Sequence, residues 1–98
     1  MKKLFAVNLI HGAAWQHSRS LEEQADWAAH AAFMDALYAE GFCALAGPLE
    51  GTDDVLLIVH GDSADEIRER LAADPWHQNG LLRVVRIKPW TLRLGSVA

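Results

Sequence analysis

Apolar positions along the chain cluster into four segments that predict β-strands. These segments cover residues 4–10, 42–47, 55–60 and 81–94. Large apolar and β-branched side chains dominate them and turn-forming residues separate them, which is the pattern of short strands in a sheet. Turn chemistry between the second and third segments predicts an antiparallel hairpin. Pro89 interrupts the last segment, so we expect a bend or an edge position there.

Two further segments have the N-terminal signals and the periodicity of helices. Ser20 and Glu23 form a predicted capping box, in which two free backbone N–H groups are satisfied reciprocally, and Gly41 marks the end of this first helix. A second capping box at residues 63–66 opens a shorter helix that ends near Ala73. The buried stripe predicted for the first helix contains residues three or four positions apart: Trp27, His30, Phe33, Met34, Leu37 and Tyr38.

The resulting order, βαββαβ, predicts an α+β fold of the ferredoxin-like class, with a four-stranded antiparallel sheet and two helices on one face. We treat residues 1–98 as a single domain, because the chain has no repeat, linker or low-complexity tract. The strands are apolar on both sides, so both faces of the sheet need cover, and the helices cover one of them. We therefore predict a homodimer in which a second copy packs against the bare face.

Composition limits the compartment and the classes of partner. The 98 residues include 13 Asp and Glu against 9 Lys and Arg, a formal net charge of −4. This charge argues against nucleic acid or an anionic membrane surface as a partner, and no segment approaches the ~20 apolar residues of a membrane span. Because Cys43 is the only cysteine and no signal-peptide cleavage motif follows the N-terminal apolar run, we expect a cytoplasmic protein with an inert core thiol.

His30 is the polar residue within the apolar stripe of the first helix. A buried imidazole is costly unless its ring nitrogens have partners, so one interpretation is a core histidine hydrogen-bonded to backbone or water. The other is a proton-transfer group, since the ordinary pKa of a histidine, ~6.5, suits catalysis near neutral pH. Position in the sequence leaves both interpretations open.

Asp74 also has two interpretations. Its carboxylate suits the N-cap of a helical turn that begins at Pro75. Alternatively, it holds a histidine, because a carboxylate at one ring nitrogen selects the tautomer, orients the ring and leaves the other nitrogen as a general base. His30 and Asp74 are far apart in the chain, so only the fold brings them together.

Five further residues are candidates for a substrate pocket between the first helix and the sheet: His11, Trp15, Gly47, Pro48 and Trp76. Each of them also has a plainer interpretation: a solvated loop residue for His11, packing for the two tryptophans and a tight turn for Gly47-Pro48. We expect His17 to be solvated, and His60 and His77 have no distinguishing context. The chain has no Gly-rich phosphate loop, no nucleophile elbow and no close set of metal ligands, so we predict neither a cofactor nor a metal.

Several motifs, taken in order, resemble the YCII-related family. They are the helix segment 27–37 with its histidine, Gly47-Pro48-Leu49, Asp74-Pro75-Trp76 and Pro89-Trp90. The resemblance covers nearly the whole chain and implies a dimeric α/β barrel with a His–Asp active site, which falls on His30 and Asp74. One branch of the family acts as a dehydrochlorinase on a chlorinated hydroxyhydroquinone. This chain departs from the shortest family members in its longer loop at residues 12–19, which affects the expected substrate more than the dyad.

The first functional hypothesis is a small cofactor-independent enzyme. In it, His30, oriented by Asp74, transfers a proton on a small cyclic or carbonyl-containing substrate, giving isomerisation or elimination. The second hypothesis is a non-catalytic module that binds a small molecule in the same pocket. A metal site formed by His30, Asp74 and His11 is the third, and the scattered positions of these ligands make it the least favoured.

Overall fold

Four strands form one antiparallel sheet in the computed structural model, which describes residues 2–97. The strands are β1 (Lys3–His11), β2 (Cys43–Pro48), β3 (Asp54–Gly61) and β4 (Leu82–Pro89). They lie in the order β2-β3-β1-β4, and each neighbouring pair is antiparallel. The ferredoxin-like α+β fold predicted from the order of elements is confirmed.

Three helices cover one face of this sheet: α1 (Trp27–Ala39), α2 (Ala64–Leu71) and the short α3 (Pro75–Gln78). Phe5, Val7 and Leu9 alternate along β1 and point into the buried cluster beneath the helices. Ser63 caps α2 as predicted, since its side chain accepts a hydrogen bond from the Glu66 N–H. Among residues 2–97, no helix is both long and apolar enough to cross a membrane.

The first helix begins at Trp27, so the start predicted beside Ser20 is wrong. The Glu23 carboxylate does accept a hydrogen bond from the Ser20 N–H at 2.9 Å, but this contact closes a single 3-10 turn, Leu21–Glu23. Gln24 then adopts an extended backbone and its buried side chain bonds to loop carbonyls, including that of Gln16. The capping box therefore stabilises the loop before the helix, because the tertiary contacts of Gln24 end the turn.

Two other details differ from the expectations. β4 ends at Pro89 instead of continuing to residue 94, although the Trp90 N–H still donates to the Leu4 carbonyl at 2.8 Å. Its edge position is confirmed, and a register shift between β1 and β4 leaves Val85 without a partner on β1. Tyr38, assigned to the buried stripe, is 69% exposed, so the stripe of α1 is narrower than predicted.

The sheet face opposite the helices has no helical cover. Leu4, Ala6 and Ile10 on β1 point to this face, alternating with the buried residues of the same strand. Leu45 on β2 pairs with Ile58 of β3 on the same face and is 59% exposed. On β4 this face is basic, because Arg83, Arg86 and Lys88 pair with Ile10, Asn8 and Ala6. The apolar part of the face therefore lies on β1, β2 and β3, and a partly apolar face of this kind is normally covered.

Candidate functional site

A cavity of about 220 Å³ lies between the sheet and the helices. Most of its wall is apolar, with side chains from every strand and helix, among them Leu9, Trp27, Met34 and Leu82. The polar exceptions are three histidines and a carboxylate, His11, His30, His77 and Asp74. A small apolar cavity with a few polar groups is the usual form of a site for a compact small molecule.

His30 and Asp74 meet at the cavity wall. The Nδ1 of His30 lies 2.9 Å from each carboxylate oxygen of Asp74, and the two side chains are only 12% and 6% exposed. Asp74 is also the N-cap of α3, where Oδ1 accepts a hydrogen bond from the Trp76 N–H at 3.0 Å. Both interpretations of Asp74 therefore hold together: the same carboxylate caps a helix and holds a histidine.

Trp76 fixes the plane of the His30 ring. The two rings stack with their centroids 3.8 Å apart and an interplanar angle of 5°. Trp76 is itself buried, and its indole N–H donates to the Ala25 carbonyl at 2.7 Å. Because Asp74 occupies Nδ1, the Nε2 of His30 makes no hydrogen bond to any residue in 2–97 and is the nitrogen available to a ligand.

His11 forms a second pair with a carboxylate, at the end of β1. Its Nδ1 lies 3.2 Å from Oδ1 of Asp53, and the Nε2 of His17 lies 3.0 Å from the same oxygen. His11 is 10% exposed at its side chain, whereas His17 is 71% exposed, as expected for a solvated loop residue. Hydrogen bonds from His11 first and His17 second lower the pKa of Asp53, so this carboxyl is ionised at neutral pH.

The structure places most of the predicted pocket residues on the cavity wall. His11, Gly47, Pro48 and Trp76 line the cavity together with His30 and Asp74. Trp15 is not part of the wall, since it packs behind it, stacked on His11 at 3.6 Å and edge-on to Trp76 at 5.4 Å. A methyl group at Gly47 would meet nothing within 4 Å, so this glycine is not required by contacts within residues 2–97.

Sequence reasoning missed two residues of the site. His77 lines the cavity, and its Nδ1 is buried without a hydrogen-bond partner among the described residues. Its position directly after Trp76, on the helical turn that Asp74 caps, is the signal that points to it. Asp53 lies in the predicted turn between the second and third strands, and no local pattern indicates that it contacts His11.

Cys43 lies outside the cavity wall. Cys43 is 4% exposed, and burial raises the pKa of its thiol, which agrees with an inert core residue. Within residues 2–97, no group of three or more His, Cys, Asp or Glu side chains is arranged to hold a metal ion.

Comparison with known proteins identifies the family. The model of the YCII-related domain matches residues 10–91. This chain belongs to the YCII-related family. No curated protein sequence matches it significantly.

A solved structure shares the YCII-related fold. It is the 5-chloro-2-hydroxyhydroquinone dehydrochlorinase of Burkholderia phenoliruptrix AC1100, in complex with 2,5-dihydroxybenzoquinone. The two chains superpose with a TM-score of 0.65 and 23% sequence identity, over 90% of this chain and 93% of the other. At this identity the likeness supports the fold, while the chemistry has to be argued from the site.

Proposed function

We propose that this YCII-related chain is a small cofactor-independent enzyme in which His30, oriented by Asp74, transfers a proton on a small cyclic or carbonyl-containing substrate. The observation that carries the proposal is the paired 2.9 Å contact between His30 Nδ1 and both oxygens of Asp74 at the wall of an apolar cavity. Isomerisation and elimination are the two reaction types that need only such a group.

The chemistry follows from the free Nε2 of His30. This nitrogen accepts a proton from the substrate, and the Asp74 carboxylate stabilises the imidazolium that forms. Stacking on Trp76 keeps the ring in one plane, so little reorganisation accompanies the transfer. The apolar walls strengthen the His–Asp interaction because they exclude water. A positioned general base of this type contributes about 10²–10⁴-fold to a rate.

The YCII-related structural neighbour supports elimination as the first reaction to test. Its name describes a dehydrochlorinase, and the molecule bound to it is a planar ring with oxygen substituents. The cavity of about 220 Å³ in this chain suits a compact ring of that class.

Chloride release from 5-chloro-2-hydroxyhydroquinone tests the proposal, with binding of 2,5-dihydroxybenzoquinone measured by calorimetry. We expect His30→Ala and Asp74→Asn to lower the rate by about 100-fold or more while binding persists. Asp54→Asn is the control, because Asp54 is exposed and lies outside the cavity wall. Full activity in either His30→Ala or Asp74→Asn would contradict the assignment.

A non-catalytic module that binds a small molecule in the same cavity is the alternative. The mostly apolar wall of the cavity favours it, since burial of a small ring against such a wall needs no proton-transfer group. Binding of 2,5-dihydroxybenzoquinone without turnover, together with a His30 titration that does not change in Asp74→Asn, would support this alternative.

We further propose that the protein is a homodimer that packs through its bare sheet face and works in the cytoplasm. The exposed Leu45 and Val85, which are 59% and 57% accessible, support an interface there or at its margin. Sedimentation at micromolar concentration should give a dimer, and Leu45→Asp should shift the equilibrium towards monomer. A monomeric wild type would contradict the proposed interface, and fractionation of cells tests the location.

A further inference from the structure

The cavity has a second imidazole held by a carboxylate, and the proposed dyad does not use it. His11 lines the cavity on the side of β1, and its Nδ1 is in contact with Asp53 at 3.2 Å. With 10% of its side chain exposed, His11 is as well enclosed as His30. A buried imidazole paired with an ionised carboxylate matches the arrangement of the proposed catalytic histidine.

Several contacts fix the position of the His11 ring. The backbone N–H of His11 donates to the Asp53 carbonyl at 2.9 Å. His11 therefore contacts Asp53 through its backbone as well as through its side chain. The Trp15 ring stacks on the His11 ring, with the ring centroids 3.6 Å apart and an interplanar angle of 2°. The Nε2 of His11 makes no hydrogen bond to any residue in 2–97, so it remains available to a ligand.

The two imidazoles stand at the ends of a continuous row of rings. His11 stacks on Trp15, Trp15 packs edge-on against Trp76, and Trp76 stacks on His30. Two separate imidazoles, each in contact with a carboxylate, therefore border one apolar cavity.

We propose that His11, positioned by Asp53, donates a proton to the substrate while His30 accepts one, and that the substrate is a planar conjugated ring carrying hydroxyl or carbonyl oxygens. This inference rests on the proposed function of His30. It assigns His11 as the second catalytic residue and Asp53 as a positioning residue. The contacts of Asp53 with His11 and His17 favour its ionised form, and an anion beside an imidazole stabilises the imidazolium.

The proton transfers balance without an oxidant or a cofactor. A ring hydroxyl loses its proton to Nε2 of His30, the electron pair shifts through the conjugated ring, and a ring carbon gains a proton from Nε2 of His11. The product is a tautomer with the same atoms and electrons. His30 then releases its proton to solvent and His11 takes one up, which restores the starting state.

The charge of His11 depends on the ionisable groups around it. Its partner on β4, Leu82, is apolar. Asp53 contacts the His11 Nδ1, and His17 contacts the same Asp53 oxygen. The other ionisable groups on the wall of the cavity are His30, Asp74 and His77. Asp53 is the closest of the carboxylates to His11, so its removal should affect the imidazolium most.

Exchange of the ring hydrogens of 2,5-dihydroxybenzoquinone for deuterium in D₂O, followed by proton NMR, tests the proposal. Exchange needs His30 to remove a hydroxyl proton while His11 delivers deuterium to a ring carbon, and reversal of the same step then removes the original ring hydrogen. We expect His11→Gln to slow it by about 100-fold and Asp53→Asn by about 10-fold, with binding of the quinone changed less than about 3-fold. Asp53→Glu should recover part of the rate, and the control Asp54→Asn should match wild type.

The pH profile separates the two groups. Loss of the carboxylate beside His11 destabilises its imidazolium, so Asp53→Asn should move the alkaline limb to lower pH and leave the acid limb unchanged. Asp74→Asn should instead move the acid limb, which reports neutral His30. An unchanged rate and alkaline limb in both His11→Gln and Asp53→Asn, with His30→Ala inactive, would overturn this inference and leave the proposed function intact. Failure of wild type to bind and exchange the quinone would overturn both.

Discussion

The two histidine–carboxylate pairs of the cavity use the same side chains but are held in different ways. His30 contacts both oxygens of Asp74 at 2.9 Å, and this carboxylate is 6% exposed. His11 contacts one oxygen of Asp53 at 3.2 Å, shares it with His17, and Asp53 is half exposed. The His30–Asp74 pair, here called the inner pair, is part of the packed core. The His11–Asp53 pair, the outer pair, joins the end of a strand to a hairpin turn.

This difference in burial separates structural from chemical effects. A buried carboxylate is tolerated only when its oxygens have partners, and Asp74 has both an imidazole and the Trp76 N–H. Asp53 keeps its contact with water, so breaking its hydrogen bonds exposes little that was buried. Changes at the inner pair should therefore affect stability and chemistry together, while changes at the outer pair should affect chemistry with little effect on stability.

The largest difference in the free energy of unfolding is expected between variants of the two tryptophans that stack on the histidine rings. Trp76→Ala should lower the free energy of unfolding by about 3–5 kcal/mol, because Trp76 is 2% exposed and its loss leaves a cavity under His30. Trp15→Ala should cost clearly less, since Trp15 is only partly buried. Urea denaturation measures both, and equal losses would contradict the division into a core pair and a peripheral pair.

Gly12 controls how the outer pair is attached to the sheet. Its N–H donates to the Leu81 carbonyl at 2.9 Å, and a Cβ at this position would overlap the Gly80 carbonyl. Gly12→Ala should therefore cost about 3 kcal/mol and displace the adjacent His11. Gly47→Ala is the matched control, because a methyl group there has free space. The free energies of unfolding and the NMR signal of the His11 ring test both, and a stable Gly12→Ala with an unmoved ring would show that the loop adapts.

Local patterns in the sequence predict much of this architecture, but they do not predict the contact between His11 and Asp53. The hairpin between β2 and β3 and the caps of α2 and α3 depend on neighbouring residues, so they could be predicted. The start of α1 could not, because the contacts of Gln24 end the capped turn before the helix. Likewise, Asp74 has a recognisable Asp-Pro context, whereas the contact of Asp53 with His11 exists only once β1 and the hairpin turn meet.

Replacing each carboxylate by an amide compares the two pairs directly. Asp74→Asn should lower the free energy of unfolding by about 2 kcal/mol, since it weakens a buried, charge-assisted contact while keeping an oxygen for the cap of α3. Asp53→Asn should change it very little at neutral pH. Thermal and urea unfolding of the two variants would check this order, and a larger loss in Asp53→Asn would reverse the roles assigned to the pairs.

The pH dependence of the free energy of unfolding is the smallest expected effect, and it tests the outer pair directly. Hydrogen bonds from His11 and His17 hold the pKa of Asp53 below its ordinary value of 3.8. A carboxyl with a lowered pKa in the folded protein contributes stability above its unfolded pKa and loses it as the pH falls through the folded value. The small difference in free energy of unfolding between wild type and Asp53→Asn should therefore be fully present above the ordinary pKa of 3.8 and shrink as the pH falls below it. A difference that stays constant over this range would mean that the ionised carboxylate does not hold His11, and the outer ring would then be positioned by Trp15 and the backbone alone.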